Sequence, residues 1–86
     1  MTEILERIME SVIKADLEGV KKLTQEALGQ GHGAKDILDN GLLPGLDVVG
    51  KRFKSGEMFM PEVIYSAKTM HAAMEILRRL LARSDA

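Results

Sequence analysis

Between Pro61 and Arg83 the residues Val63, Ala67, Met70, Met74, Leu77 and Leu81 recur at spacings of 4, 3, 4, 3 and 4. That rhythm keeps all six on one face of a 3.6-residue helix, and a helix with a single apolar seam has to lay it against other helices. The seam therefore predicts a packed bundle whose last helix opens at Pro61, with Arg78, Arg79 and Arg83 in its final turns.

The rest of the chain supplies the partners. Ile4, Leu5, Ile8, Met9, Val12 and Ile13 line one face of a first helix from about Glu3 to Ala15, with Thr2 as its N-cap. Asp16 caps a second helix whose buried stripe is Leu17, Val20, Leu23, Ala27 and Leu28. The run GQGHG, Gly29 to Gly33, ends it. A third segment starts near Ala34; Asn40-Gly41 reads as a stop, and Pro44 restarts the helix toward Phe53. The expected fold is all-α: an antiparallel four-helix bundle with its third helix broken near Gly41. No strand pattern competes, and no internal repeat or low-complexity tract interrupts the chain.

Size and charge narrow the function. A chain of 86 residues buries only roughly 60 to 65% of its unfolded surface, enough for one modest core and no second domain. Its 12 Lys+Arg and 13 Asp+Glu leave a net charge of -1, which gives no steering toward nucleic acid or an anionic membrane. The absence of cysteine removes disulfides, thiolate nucleophiles and Cys-based zinc sites together, and fits a reducing cytoplasm. The N-terminal MTEILERIME lacks the apolar core of a secretory signal, and no apolar run approaches the ~20 residues that span a bilayer.

Residues with chemical potential are few. His32 lies between glycines and His71 beside the seam of the last helix; neither has a second histidine at helical ligand spacing, so both read as solvated or partly packed. Glu57 and Glu62 resemble an acid/base pair, but Glu62 falls in the first turn of a helix, where a carboxylate meets the macrodipole favourably. The arginines near the C-terminus complement the other end of that dipole. Gly29, Gly31 and Gly33 follow no strand, which leaves a phosphate cradle unsupported.

One stretch resists a purely structural reading. RFKSGEMFMPEV, Arg52 to Val63, holds both phenylalanines and two of the six methionines around a Ser-Gly turn. Phe53, Met58, Phe59 and Met60 can close one end of a bundle, yet four large apolar residues within eight positions exceed what a small bundle buries there. Part of this group is expected at the surface, where a partner or a flat apolar ligand would dock.

The longer run GLLPGLDVVGKRFKSGEMFMPEVIYSAKTM, Gly41 to Met70, resembles the helical cap domain of cobalamin-binding proteins, shared by cobalamin-dependent methionine synthase and the corrinoid proteins of methanol and methylamine methyl transfer. The pattern is G-L-x-P-G-x-x-x-V-G, then F-x-x-G-E-x-F-hydrophobic-P-E-V, then S-A-x-x-M. The earlier helices match the family's layout, so the likeness covers essentially the whole chain, residues 1–86.

The resemblance implies that the bundle sits over the upper, methyl-bearing face of a corrin, touched by Phe53 and Met60 with Val63 and Ile64 alongside. Such a lid excludes water from the carbon-cobalt bond. Met60 stands where leucine is usual, a volume-conserving but more flexible choice. The family's second half is a Rossmann-like domain whose D-x-H-x-x-G motif ligates cobalt from below. His32, with Gln30 before it and Lys35 after it at those places, does not match, and neither does His71, with Thr69 and Met74.

The expected function is thus a cobalamin-binding cap module in methyl transfer, without catalysis of its own. Its expected partners are the Rossmann-like domain and methyltransferase enzymes, with no nucleic acid and no membrane, and binding of cobalamin by this chain alone is expected to be weak or absent. The competing reading is a helical interaction module that self-associates, as a homodimer or higher assembly, or binds a partner protein through the Phe53 to Val63 surface.

Overall fold

A computed structural model describes residues 3–84, without the side chains of Arg83 and Ser84. The helices are α1 (Glu3–Ile13), α2 (Leu17–Gly29), α3 (residues 34–55) and α4 (Met60–Ser84), and no strand occurs among the described residues. Links of three or four residues join them, which forces neighbours to run antiparallel and produces the expected four-helix bundle. The cap expected at Thr2 lies outside the described residues.

The first three helices end in one way. After α2, Gly31 turns left-handed at φ 96°, and the N–H groups of Gly31 and His32 return to the carbonyls of Leu28 and Ala27. After α3, Gly56 at φ 86° sends its own N–H and that of Glu57 back to Phe53 and Arg52. Both are Schellman stops built on glycine. After α1 the residue in that role is Ala15, at φ 58°, with Ala15 N–H on Val12 and Asp16 N–H on Ser11. This turn ends α1 at Ile13, two residues before the expected Ala15, and the Asp16 carboxylate then accepts from Gly19 N–H at 3.0 Å to start α2 as expected.

The core is contributed by every helix: Ile4, Leu5, Ile8 and Val12 from α1, Val20, Leu23 and Ala27 from α2, Ala34, Ile37 and Leu42 from α3, Ala73 and Leu77 from α4. Val49 and Met58 are also buried, apart from that cluster.

The interruption near Gly41 takes the form of a π turn, Leu38–Leu42, between α-helical segments Ala34–Ile37 and Leu43–Ser55. The chain stays helical through Asn40-Gly41, which are not a stop. Pro44 has no N–H for the Asn40 carbonyl and its ring would strike that oxygen; the widened turn immediately before it accommodates both. Gly41 has a packing role instead. A Cβ there would lie 3.1 Å from Ile8 Cγ2, and one at Gly45 would lie 2.8 Å from the Met9 carbonyl oxygen. The two glycines let α3 cross α1 at near backbone contact.

α4 is rotated relative to the expected seam. Its fully buried residues are Ser66, Thr69, Ala73 and Leu77, while Met70, Met74 and Leu81 pack on the flank and Ala67 faces water. Small side chains allow the helices to approach, and the longer thioethers fill the edges. The Thr69 hydroxyl donates to the Tyr65 carbonyl at 2.8 Å, which offsets its burial. Ser66 Oγ and Thr24 Oγ1 are buried with no hydrogen-bond partner.

Candidate functional site

The α3–α4 junction is fixed at both ends by the backbone. On the α3 side, the Arg52 carbonyl accepts from Glu57 N–H at 2.8 Å, Met58 N–H at 3.1 Å and the Ser55 hydroxyl at 3.1 Å. On the α4 side, Phe59 is the N-cap: its carbonyl accepts from Glu62 and Val63, and its N–H donates to Glu62 Oε1 at 3.0 Å. That is the glutamate half of a capping box. Glu62 is thereby a structural residue, and Glu57 stands exposed without forming an acid/base pair with it.

Met58, 8% exposed, is the only one of the four large apolar residues of this stretch that the bundle buries. Phe53 is 43% exposed, Met60 53% and Phe59 71%, and one turn into α4 Ile64 is 48% exposed with Val63 half-buried beside it. Met58 pins the turn inward and its neighbours are left outside. Exposed side chains of this size are held in place by helix ends, and a mobile loop would not hold them so.

A second apolar surface adjoins it on α3. Leu43, Leu46, Asp47, Gly50, Lys51 and Lys54 line an open groove of about 570 Å³. Sequence reasoning did not single it out; the signal was present in Leu43, Leu46, Gly50 and Phe53, which return to one flank of the helix at spacings of 3, 4 and 3.

The remaining candidates are dispersed. His32 is half-buried at the start of α3, its Nδ1 2.9 Å from Asp36 Oδ2, while Asn40 donates to the other oxygen of Asp36 at 2.7 Å. These hydrogen bonds, from His32 first and then Asn40, hold the Asp36 carboxyl below its ordinary range. His71 is exposed on α4, and among the described residues no three His, Cys, Asp or Glu side chains group as a metal site. Arg78 lies 3.7 Å from Glu75, Arg79 is exposed, and the Arg83 side chain is outside the described residues. Gly29 ends α2, and Gly31 and Gly33 belong to the α2–α3 turn. No helix among the described residues is long and apolar enough to cross a membrane.

Comparison with known proteins gives this geometry a context. The chain is 42% identical over 76 residues to monomethylamine corrinoid protein 2 of Methanosarcina mazei, covering 88% of this chain and 35% of that protein. It is 34% identical over 80 residues to a corrinoid protein of Desulfitobacterium hafniense, covering 93% of this chain and 37% of the relative. Among solved structures, the monomethylamine corrinoid protein of Methanosarcina barkeri superposes with a TM-score of 0.85 at 36% identity, over 87% of this chain and 35% of that one. The chain therefore spans about a third of the length of these relatives. Residues 4–78, nearly all of the bundle and the whole junction, match the model of the B12 binding domain, and the chain belongs to that family.

Proposed function

We propose that residues 1–86 form the helical cap of a corrinoid protein in methyl transfer, with the α3–α4 junction covering the upper, methyl-bearing face of a cobalamin that a second, Rossmann-like domain holds from below. The observation that carries this is the exposure of Phe53, Met60 and Ile64, with Val63 beside them, on a hydrogen-bonded turn in a chain of the B12 binding domain family. Fully burying such side chains is worth roughly 1.5 to 3 kcal/mol each, so the fold keeps them outside at a cost that a ligand can recover. The residues fit a flat, largely apolar ring face: Phe53 comes from the end of α3, the other three from the start of α4, and none of the four carries a charge.

When bound, the cofactor supplies the cobalt that carries the methyl group. The protein's part is geometric. Phe53 and Met60 exclude water from the reactive face, the Gly56 turn sets their spacing, and Met58 anchors the turn to the bundle. No catalytic step falls to this chain; methyltransferase enzymes load and unload the cofactor, in the cytoplasm. Titration with methylcobalamin, followed through the corrin absorption bands, is expected to show weak binding or none by the chain alone. Tight stoichiometric binding with a base-off, histidine-ligated spectrum would overturn this assignment.

A second reading rests on Phe59 and Tyr65, 71% and 60% exposed and outside the four-residue lid. Through them the same region would self-associate into a homodimer or higher assembly, or bind a partner protein. Sedimentation separates the two: a monomer at high concentration excludes the homo-oligomer. A concentration-dependent dimer that Phe59→Asp dissociates, while the variant stays helical, supports it.

A further inference from the structure

Gly50 is the one glycine in the interior of a helix, away from its ends, that the bundle itself does not explain. Gly41 and Gly45 in the same helix are required by the crossing of α1, whereas a Cβ at Gly50 would meet nothing within 4 Å. The residue is exposed in the middle of Leu43–Ser55, where glycine weakens a helix relative to alanine. It forms part of the floor of the open groove between Leu46 and Lys54, and it precedes Phe53 by three residues, a rise of about 4.5 Å along the same flank.

We infer that Gly50 is a clearance residue for the corrin, whose rim passes over the α3 backbone one turn beyond Phe53. The shape of the notch selects this occupant over a second helix. Close helix crossings use small residues in pairs four apart, as Gly41 and Gly45 do against α1. Around Gly50 the positions one turn away, Leu46 and Lys54, are long side chains that line the same groove, so no second small residue stands four away to complete such a pair. A gap one side chain wide between two large ones admits the thin edge of a flat ring. The apolar wall of Leu46 and Leu43 then continues the surface of Phe53, while Asp47 and Lys51 neutralise each other at 3.2 Å.

The inference rests on the cap reading, and one experiment separates their failures. Backbone amide resonances of the chain are followed as methylcobalamin is added to millimolar concentration, with Gly50→Ala and Gly50→Leu in parallel. The amide of Gly50 is expected to move together with those of Phe53, Met60 and Ile64, and Gly50→Leu to weaken binding by roughly tenfold or more. Without cofactor, Gly50→Ala is expected to raise the thermal midpoint by about 4 to 8 °C, since the free chain has room for the methyl group. Shifts at Phe53, Met60 and Ile64 with a silent Gly50, unchanged binding by Gly50→Leu, or a lowered midpoint for Gly50→Ala would each overturn the role of Gly50 alone. Silence at all four positions at millimolar methylcobalamin would overturn this inference, whereas the cap reading, which allows the chain alone to bind weakly or not at all, falls to the tight, histidine-ligated binding named above.

Discussion

Gly45 lies so close to Val12 that a Cβ added to it would stand 2.9 Å from the Val12 Cβ. The other near neighbour is the Met9 carbonyl oxygen, a backbone atom that cannot swing aside. Gly45→Ala is therefore expected to push α1 and α3 apart and to cost about 2 to 4 kcal/mol, read as a lower urea midpoint. The same substitution at Gly50 has the opposite sign, so the pair of variants tells packing apart from helix propensity within one helix.

Ala15 holds a left-handed conformation that glycine holds at the ends of α2 and α3. Ala15→Gly removes a steric cost of roughly 1 to 2 kcal/mol and adds some freedom to the unfolded chain. A net gain of about 0.5 to 1 kcal/mol is expected in chemical denaturation, with an unchanged slope; a loss would mean that the α1–α2 turn is not the Schellman stop described above.

The buried hydroxyl of Thr24, without a hydrogen-bond partner, is a liability of α2. Thr24→Val keeps the branched shape and deletes the polar atom. Stabilisation by about 1 kcal/mol is expected from thermal melts, because the folded state then no longer strips water from an unpaired group.

Acid stability reports on the Asp36 cluster. Its carboxyl is held below the ordinary range, chiefly by the hydrogen bond with His32 and then by that with Asn40. A carboxyl lowered in the folded state contributes stability above its unfolded pKa, and that contribution is lost as pH falls through the folded value. Melting temperature is expected to decline as pH drops into and below the carboxylate range, and Asp36→Asn to flatten part of that decline. The group is exposed, so added salt shrinks the difference.

The parts of this fold that depend on neighbours in sequence were legible there. Asp16 as a cap, the glycine-rich end of α2, the Ser55-Gly56 turn and Pro61 in the first turn of α4 are local signals, and each stands where expected. Gly41 was misread because a glycine that ends a helix and one that admits a crossing helix look alike until Ile8 is in place. The rotation of α4 was hidden for a related reason: Ser66 and Thr69 are polar by type, and their burial follows from size. At the junction, sequence crowding predicted that something would remain outside. Which residue turns inward was settled by geometry, with Met58 two positions after the left-handed Gly56.

α4 is a single unbroken helix of 25 residues, about 37 Å of the 39 Å long axis of the molecule. It begins at Met60 on the exposed junction and packs along its length against α1, α2 and α3. Any tilt of α4 that widened the gap at Met60 and Ile64 would have to draw Ala73 and Leu77 out of the core, so the apolar junction is held at a fixed height by residues about three and four turns away.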